Sequence, residues 1–198
     1  NGLTADAFSA PALRDVLLDQ GKHKDLYEYR CDAGLLLELL ITKAPPQIKQ
    51  CYTFQLITEG GNVQEPRTTL SVYLPKRDPG VSVKLSELIQ GDLNDAPRPQ
   101  CKFLEAPSVL HVHARRALSE SADWNSTELI CPDKLDISPW CQTETAPKVM
   151  TKVASIHRTG ERADGGHWVS VVYSGEVAFL VNDSAVIDKE SHFSRVDD

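Results

Sequence analysis

The stretch GGHWVSVVYSGEVAFLVNDSAV, residues 165–186, decides how this chain is read. GHWVSVVYS (166–174) and EVAFLVN (176–182) are short runs rich in β-branched and aromatic residues, joined at a glycine, and each suits a strand. A hairpin around Ser174-Gly175 brings the far ends of the two strands together, because antiparallel neighbours run back past one another. One far end carries His167 behind Gly165 and Gly166; the other carries Asn182 and Asp183. An imidazole facing an amide or carboxylate is the base-and-orienter half of a catalytic triad, in which the third residue fixes the tautomer and direction of the histidine. Spacing by itself favours a plainer account, an ordinary strand-end histidine beside an Asn-Asp turn, since both are common.

Working outward, the other elements follow from their periods. Ala12, Leu13, Val16 and Leu17 form a helical stripe within residues 7–20, closed by Gly21. A second helix is expected from Leu26 to Ile41, with Leu35, Leu36, Leu37, Leu39 and Leu40 too densely apolar for a surface helix, and Pro45-Pro46 stops it. YTFQLIT (52–58) and TTLSVYL (68–74) alternate around EGGN as a hairpin. KLSELIQGDL (84–93) reads as a short helix, and in PSVLHVHARRAL (107–118) Val109, His111 and His113 alternate with Leu110, Val112 and Ala114. VMTKVASIHRTG (149–160) adds β-rich sequence ahead of the opening stretch. Helices first and then an antiparallel sheet make an α+β fold. DLNDAPRPQ (92–100) and SESADWNSTE (119–128) are expected to be mobile.

Composition narrows the function. A chain of 198 residues, 41% hydrophobic, is long enough for one well-buried domain. The formal charge of −7, with the 21 Lys and Arg scattered, argues against nucleic acid and permits a basic protein surface as ligand. No run of eighteen apolar residues and no basic-then-apolar leader is visible, so no membrane partner is expected. Five cysteines (31, 51, 101, 131 and 141) form an odd set without a CxxC pair, which points to free, mostly buried thiols in a reducing compartment. Asn125-Ser-Thr is a glycosylation sequon, meaningful only on a secretory route. His111 and His113 lack a third ligand nearby and read as packed or exposed side chains, and Trp124 and Trp140 as core or interface anchors.

GGHW, VSVVYSGEVAFLV and NDSAV together resemble the histidine box of the ubiquitin-specific proteases, papain-like cysteine proteases. CDAGLLLELL (31–40), TTLSVYLP (68–75), VKLSELIQGDL (83–93), APSVLHVHARRAL (106–118) and ICPDKLDISPW (130–140) are similar to further blocks of that family, in the family order. The likeness covers roughly residues 30–190. Departures are Val177 and Ala178 in place of aromatics, Leu35 in place of a helix glutamate, and the absence of zinc-binding CxxC pairs. With only a turn between 52–58 and 68–74, the fingers are expected to be short or missing.

The resemblance implies a papain-like α+β domain with a helical thumb (1–50) and an antiparallel β-sheet palm (51–198), the catalytic cleft lying between them. It further implies a deubiquitinase that hydrolyses the isopeptide or ester bond after the C-terminal glycine of ubiquitin. His167 would be the general base, Asn182 its orienter and Asp183 the reserve for that role. Family members carry the nucleophilic cysteine at the start of the first helix, where the helix dipole favours the thiolate. In TADAFSAPALRDVL (4–17) that place falls on Ala7, with Ala5 a weaker candidate; Cys31 mimics the family box but fits the second block better. The cysteine is therefore replaced at position 7, by design or by natural loss, or lies upstream of Asn1. Backbone amides at Asp6 and Ala7, with the side chain of Asn1, would form the oxyanion site. Phe8, Gly165, Gly166 and Trp168 would line the substrate channel. No metal or cofactor is expected. Ubiquitin or a ubiquitin-like modifier is the expected partner, met by a monomer in the cytoplasm, in the manner of a bacterial or viral effector in a host cytosol; a module that binds the modifier without catalysis is the alternative.

Overall fold

Two prolines organise the first part of the chain in the computed structural model, which describes residues 33–78, 80–94, 100–116, 125, 127–142, 148–159, 167–175, 177–182 and 185–188. Helix α1 (Ala33–Lys43) carries the leucine run and buries Ile41. It ends before Pro45, as a helix must where the next residues cannot donate backbone hydrogen bonds. Pro45 then serves as N-cap and Pro46 as first residue of α2 (Pro46–Tyr52), where a fixed φ and a missing N–H cost nothing. The proline pair thus stops one helix and starts another. PQIKQCY gives no sign of this in its apolar pattern, because α2 buries none of its residues. The chain divides into two compact units, Asn1–Leu37 and Glu38–Asp198. The strands, α2 and the core belong to the second unit.

That unit contains, in order, β1 (Gln55–Thr58), β2 (Leu70–Tyr73), β3 (Ser82–Lys84), α3 (Leu85–Asn94), β4 (Cys101–Glu105), β5 (Val112–Arg115), β6 (Glu128–Ile130), β7 (Lys134–Asp136), a 3-10 turn at Ser138–Trp140, β8 (Val149–Thr151), β9 (Ala154–Thr159), β10 (His167–Ser174), β11 (Val177–Asn182) and β12 (Ala185–Asp188). The α+β class stands, with two corrections to the expected sheet. First, 52–58 and 68–74 do not pair. The EGGN turn forms, with Gly61 at φ 81° and its N–H donating to the Thr58 carbonyl at 2.9 Å. The chain returns through bridges at Ile57–Val63 and Phe54–Arg67, while β1 pairs with β4. Second, the sheet is not antiparallel throughout: β2 pairs with β5, and β3 with β6, in parallel. Period-two alternation identifies a strand but not its partner, and here the crossover through β3, α3 and β4 brings β5 alongside β2.

Burial explains the choice. Leu70, Val72 and Leu74 are completely buried, which a strand in a surface hairpin could not achieve. Around them pack Phe54, Phe103, Ile137 and, from α3, Leu85, Leu88, Ile89 and Leu93 at positions that share one helix face. Phe54 and Phe103 meet edge to face with centroids 5.3 Å apart. Trp140 is buried and its indole N–H donates to Gln90 Oε1 at 2.8 Å, tying the 3-10 turn to α3.

The end of the stretch expected to be mobile, 119–128, is pinned instead. Asn125 is 1% exposed; its Nδ2 donates to the Leu74 carbonyl at 2.7 Å and its Oδ1 accepts the Thr127 N–H at 3.0 Å. The Arg116 guanidinium donates to the carbonyls of Asn125 and Thr127. A sequon asparagine used in this way is closed to a glycan in the folded protein. Of the two expected loops, residues 119–124, 126 and 95–99 lie outside the described residues, and 92–94 belong to α3.

Candidate functional site

The last four strands form one antiparallel sheet in the order β12-β11-β10-β9. Gly175, at φ 62°, makes the tight turn between β10 and β11, whose register runs from Ser174–Val177 to Ser170–Val181. One step further along the ladder places Asn182 across from Val169. Val169 and His167 are two apart on β10 and so share a face, which makes Asn182 the diagonal neighbour of His167 on that face. The two side chains meet: His167 Nε2 and Asn182 Oδ1 are 2.5 Å apart. Both are half-buried.

This contact fixes chemistry as well as position. An amide oxygen only accepts, so Nε2 carries the proton and donates, and the neutral ring keeps its lone pair on Nδ1. The ring is thereby set as a base through Nδ1. Its main chain is fixed from the other side by β9, which pairs His167 with Thr159, Trp168 with Arg158 and Val169 with His157. Asn182 is held in turn by β12, opposite Ala185.

Of the residues singled out in the sequence, the structure brings together His167 and Asn182. Trp168 follows His167 directly in the strand, so the pleat turns it to the other face, at the level of Arg158; the place beside the imidazole is not its own. Asn1, Ala5, Asp6, Ala7, Phe8, Cys31, Gly165, Gly166 and Asp183 lie outside the described residues. One polar pair on the His167 face was not anticipated. His157 is exposed and its Nε2 lies 2.7 Å from Ser155 Oγ. The signal available was the spacing of two between Ser155 and His157, which places both on one face of a strand.

The other candidates are structural. His111 Nδ1 lies 3.1 Å from Thr69 Oγ1, and burial, helped by the neighbouring His113, depresses its pKa from 6.5 to about 4. His113 is buried in β5. Both therefore pack, as expected. Among the described residues no group of three or more His, Cys, Asp or Glu is placed to hold a metal ion, and no helix is long and apolar enough to cross a membrane. Four cysteines are described, none of them in a disulfide: Cys101 and Cys141 are buried, Cys131 is intermediate and Cys51 is exposed on α2. Burial raises the pKa of Cys131 and Cys141, the opposite of what an activated thiol needs.

Fold and site together define a class: a papain-like α+β protein whose strand-borne histidine is oriented by an asparagine amide. The model of the ubiquitin carboxyl-terminal hydrolase family matches residues 9–195, and the chain belongs to that family. Its likeness to the ubiquitin-specific proteases thus holds across nearly the whole chain. No curated protein sequence matches it significantly. Among solved structures it is similar to the yeast SAGA DUB module with an altered Sgf73, at a TM-score of 0.59 and 17% identity over 83% of this chain and 39% of the other. A SAGA module of Ubp8, Sgf11, Sus1 and Sgf73 gives 0.59 and 16% identity over 93% and 44%. A module with a Cys-to-Ala change in Ubp8, bound to monoubiquitin, gives 0.50 and 18% over 70% and 36%. At these identities the likeness is one of fold, and the chain spans less than half of each matched chain.

Proposed function

We propose that this chain carries the catalytic domain of a cysteine-type deubiquitinase, hydrolysing the bond after the C-terminal glycine of ubiquitin. The observation that carries the reading is the His167–Asn182 hydrogen bond on a chain of the ubiquitin carboxyl-terminal hydrolase family. The roles follow from the tautomer. In an active form a thiol at position 7 gives its proton to His167 Nδ1, and the thiolate attacks the glycine carbonyl carbon. Backbone amides at Asp6 and Ala7, with Asn1, receive the negative charge on the carbonyl oxygen. As the carbonyl carbon's bond to the leaving nitrogen or oxygen breaks, His167 returns the proton to that atom. Water then hydrolyses the thioester, with His167 again the base. Asn182 keeps Nε2 protonated and the ring aligned, and Asp183 is the reserve for that role. Phe8, Gly165 and Gly166 are the proposed substrate contacts; Trp168, on the other face of the sheet from His167, is not among them.

Position 7 is alanine in this sequence, and without a thiol there the chain binds rather than cleaves. A binding module for ubiquitin or a related modifier is accordingly the second reading. The relative with a Cys-to-Ala change and bound monoubiquitin supports the idea that loss of a cysteine is compatible with binding. The intact His167–Asn182 pair speaks for recent or deliberate loss over long decay.

Replacing Ala7 by Cys and adding ubiquitin with an electrophilic C-terminus separates the readings. Covalent labelling that disappears in the Ala7→Cys, His167→Ala double variant is the expected result. A folded Ala7→Cys protein that binds ubiquitin without being labelled places the nucleophile elsewhere and favours the binding module. Absence of any binding to ubiquitin or ubiquitin-like proteins overturns both.

A further inference from the structure

The catalytic reading uses one face of the sheet β9–β11 and leaves the other without a role. Trp168, Ser170 and Val172 alternate with His167, Val169 and Val171 along β10, so they stand on the side opposite His167. The register sets Arg158 and Ile156 of β9 beside Trp168 and Ser170. On β11 it sets Val181, Phe179 and Val177 beside Ser170, Val172 and Ser174. Ile156, Trp168, Val172, Val177, Phe179 and Val181 therefore form one contiguous apolar field. The His167 face buries Val171, whereas no described residue of the opposite face is buried, and Ile156 and Val172 are 46% and 41% exposed. An antiparallel sheet that turns one face to water carries polar side chains there, and this face is mostly apolar. A contiguous apolar field on a surface marks an interaction site.

Size and composition select the occupant. Three strands about 4.8 Å apart, each contributing about five residues at 3.4 Å, give a field of roughly 14 by 17 Å. That is less than half of the about 800 Å² that each partner brings to a stable dimer, so this face is too small to hold a second copy. A helix of about three turns, roughly 16 Å long and 10 Å across, covers it. Interface cores are rich in Trp and Arg and poor in Lys, Asp and Glu. The described face has Trp168 level with Arg158 and carries no Lys, Asp or Glu. Its single charge is positive, which fits an acidic flank on the helix.

We propose that this outer face is a docking site for one amphipathic helix of a partner protein. The helix lies with its apolar stripe on Trp168, Val172 and Phe179 and its acidic flank beside Arg158. The His167–Asn182 pair is on the other side of the sheet, so a docked helix leaves that side open. The proposal does not depend on the hydrolase reading.

The probe is a fluorescent helical peptide of about fourteen residues, with leucines at the i, i+3, i+4 and i+7 spacing and glutamates on its flanks. A peptide of the same composition in scrambled order is the control. Anisotropy with the whole chain should give a dissociation constant of about 10–100 µM for the probe, the range of a small interface, and no saturation with the control. Ile156→Thr and Val172→Thr keep β-branched side chains on the strands while making the field polar; together they should weaken the probe about tenfold or more. His157→Ala, on the His167 face, should change nothing. An unchanged denaturation midpoint shows that the variants are folded, and the comparison of the two peptides needs no variant. Equal binding of the two peptides, or equal binding of the probe by the parent and the double threonine variant, overturns the proposal. So does a dimer, seen by sedimentation, that the double variant dissociates, because the occupant is then a second copy.

Discussion

The core around β2, β4 and α3 and the sheet β9–β12 use similar residues to opposite ends. In the core, Leu70, Val72, Leu74, Ile89, Phe103 and Ile137 have no exposed surface. In the sheet, Val171 is the one described residue that is buried, while Val172 and Ile156 are 41% and 46% exposed. Buried apolar area stabilises a fold, so the core dominates stability. The sheet contributes a rigid hydrogen-bonded ladder, which is what a site needs from its support. Stability and chemistry are thereby separated: the His167–Asn182 pair lies outside the buried core cluster and is anchored by register.

That separation can be broken or sharpened by substitution. The largest effect belongs to Phe103→Ala, which should lower the unfolding free energy by about 3–5 kcal/mol through lost burial and a cavity against Phe54. Denaturant titration measures it, and a loss below about 1 kcal/mol would show that the core is not where stability resides. Asn125→Ala comes next. It leaves the Leu74 carbonyl and Thr127 N–H without their side-chain partner, a cost of about 1–3 kcal/mol. The parent protein made in a glycosylating host should carry no glycan at Asn125 by mass spectrometry if it folds before modification.

A smaller effect is expected on acidification. Burial holds the pKa of His111 at about 4 against 6.5 unfolded, so the unfolded chain binds the proton first as pH falls. The contribution of His111 is complete above pH 6.5 and is lost between there and about pH 4. Allowing for solvent screening at a half-buried site, it amounts to about 1–2 kcal/mol. His111→Phe should flatten the stability profile in that window; an unchanged slope would assign the acid sensitivity elsewhere. The smallest stability effects should come from the site. His167→Ala and Asn182→Ala should each change the unfolding free energy by about 1 kcal/mol or less, by the same titration. In an Ala7→Cys background, however, His167→Ala should abolish probe labelling and Asn182→Ala should slow it at least tenfold. A large stability loss in either variant would join what the comparison separates.

The His167–Asn182 contact was legible because its logic is local. A hairpin that turns at Gly175 must bring residue 167 near residue 182, whatever else the chain does, and the observed register does so. The core strands were legible as strands but not in their partners. TTLSVYL alternates as well for a hairpin with 52–58 as for the parallel pair it makes with β5. α2 escaped notice because it has no buried face, and β12 because AVID (185–188) is too short to show a period. Asn125 looked like a glycan acceptor because three residues suffice to write a sequon, whereas burial depends on Leu74, fifty-one positions earlier.

The sequence alone determined the α+β class, the family likeness and the pairing of a histidine with an asparagine, since these rest on local period, turn chemistry and residue identity. Tertiary structure decided which strands adjoin, which polar groups are buried, and which way the imidazole presents its lone pair. Those outcomes depend on contacts between residues far apart in the chain, and on the alternation of a sheet whose partner strands no single segment specifies. The placing of His157 on the same face as His167 is of this second kind: it follows from the register of β9 against β10.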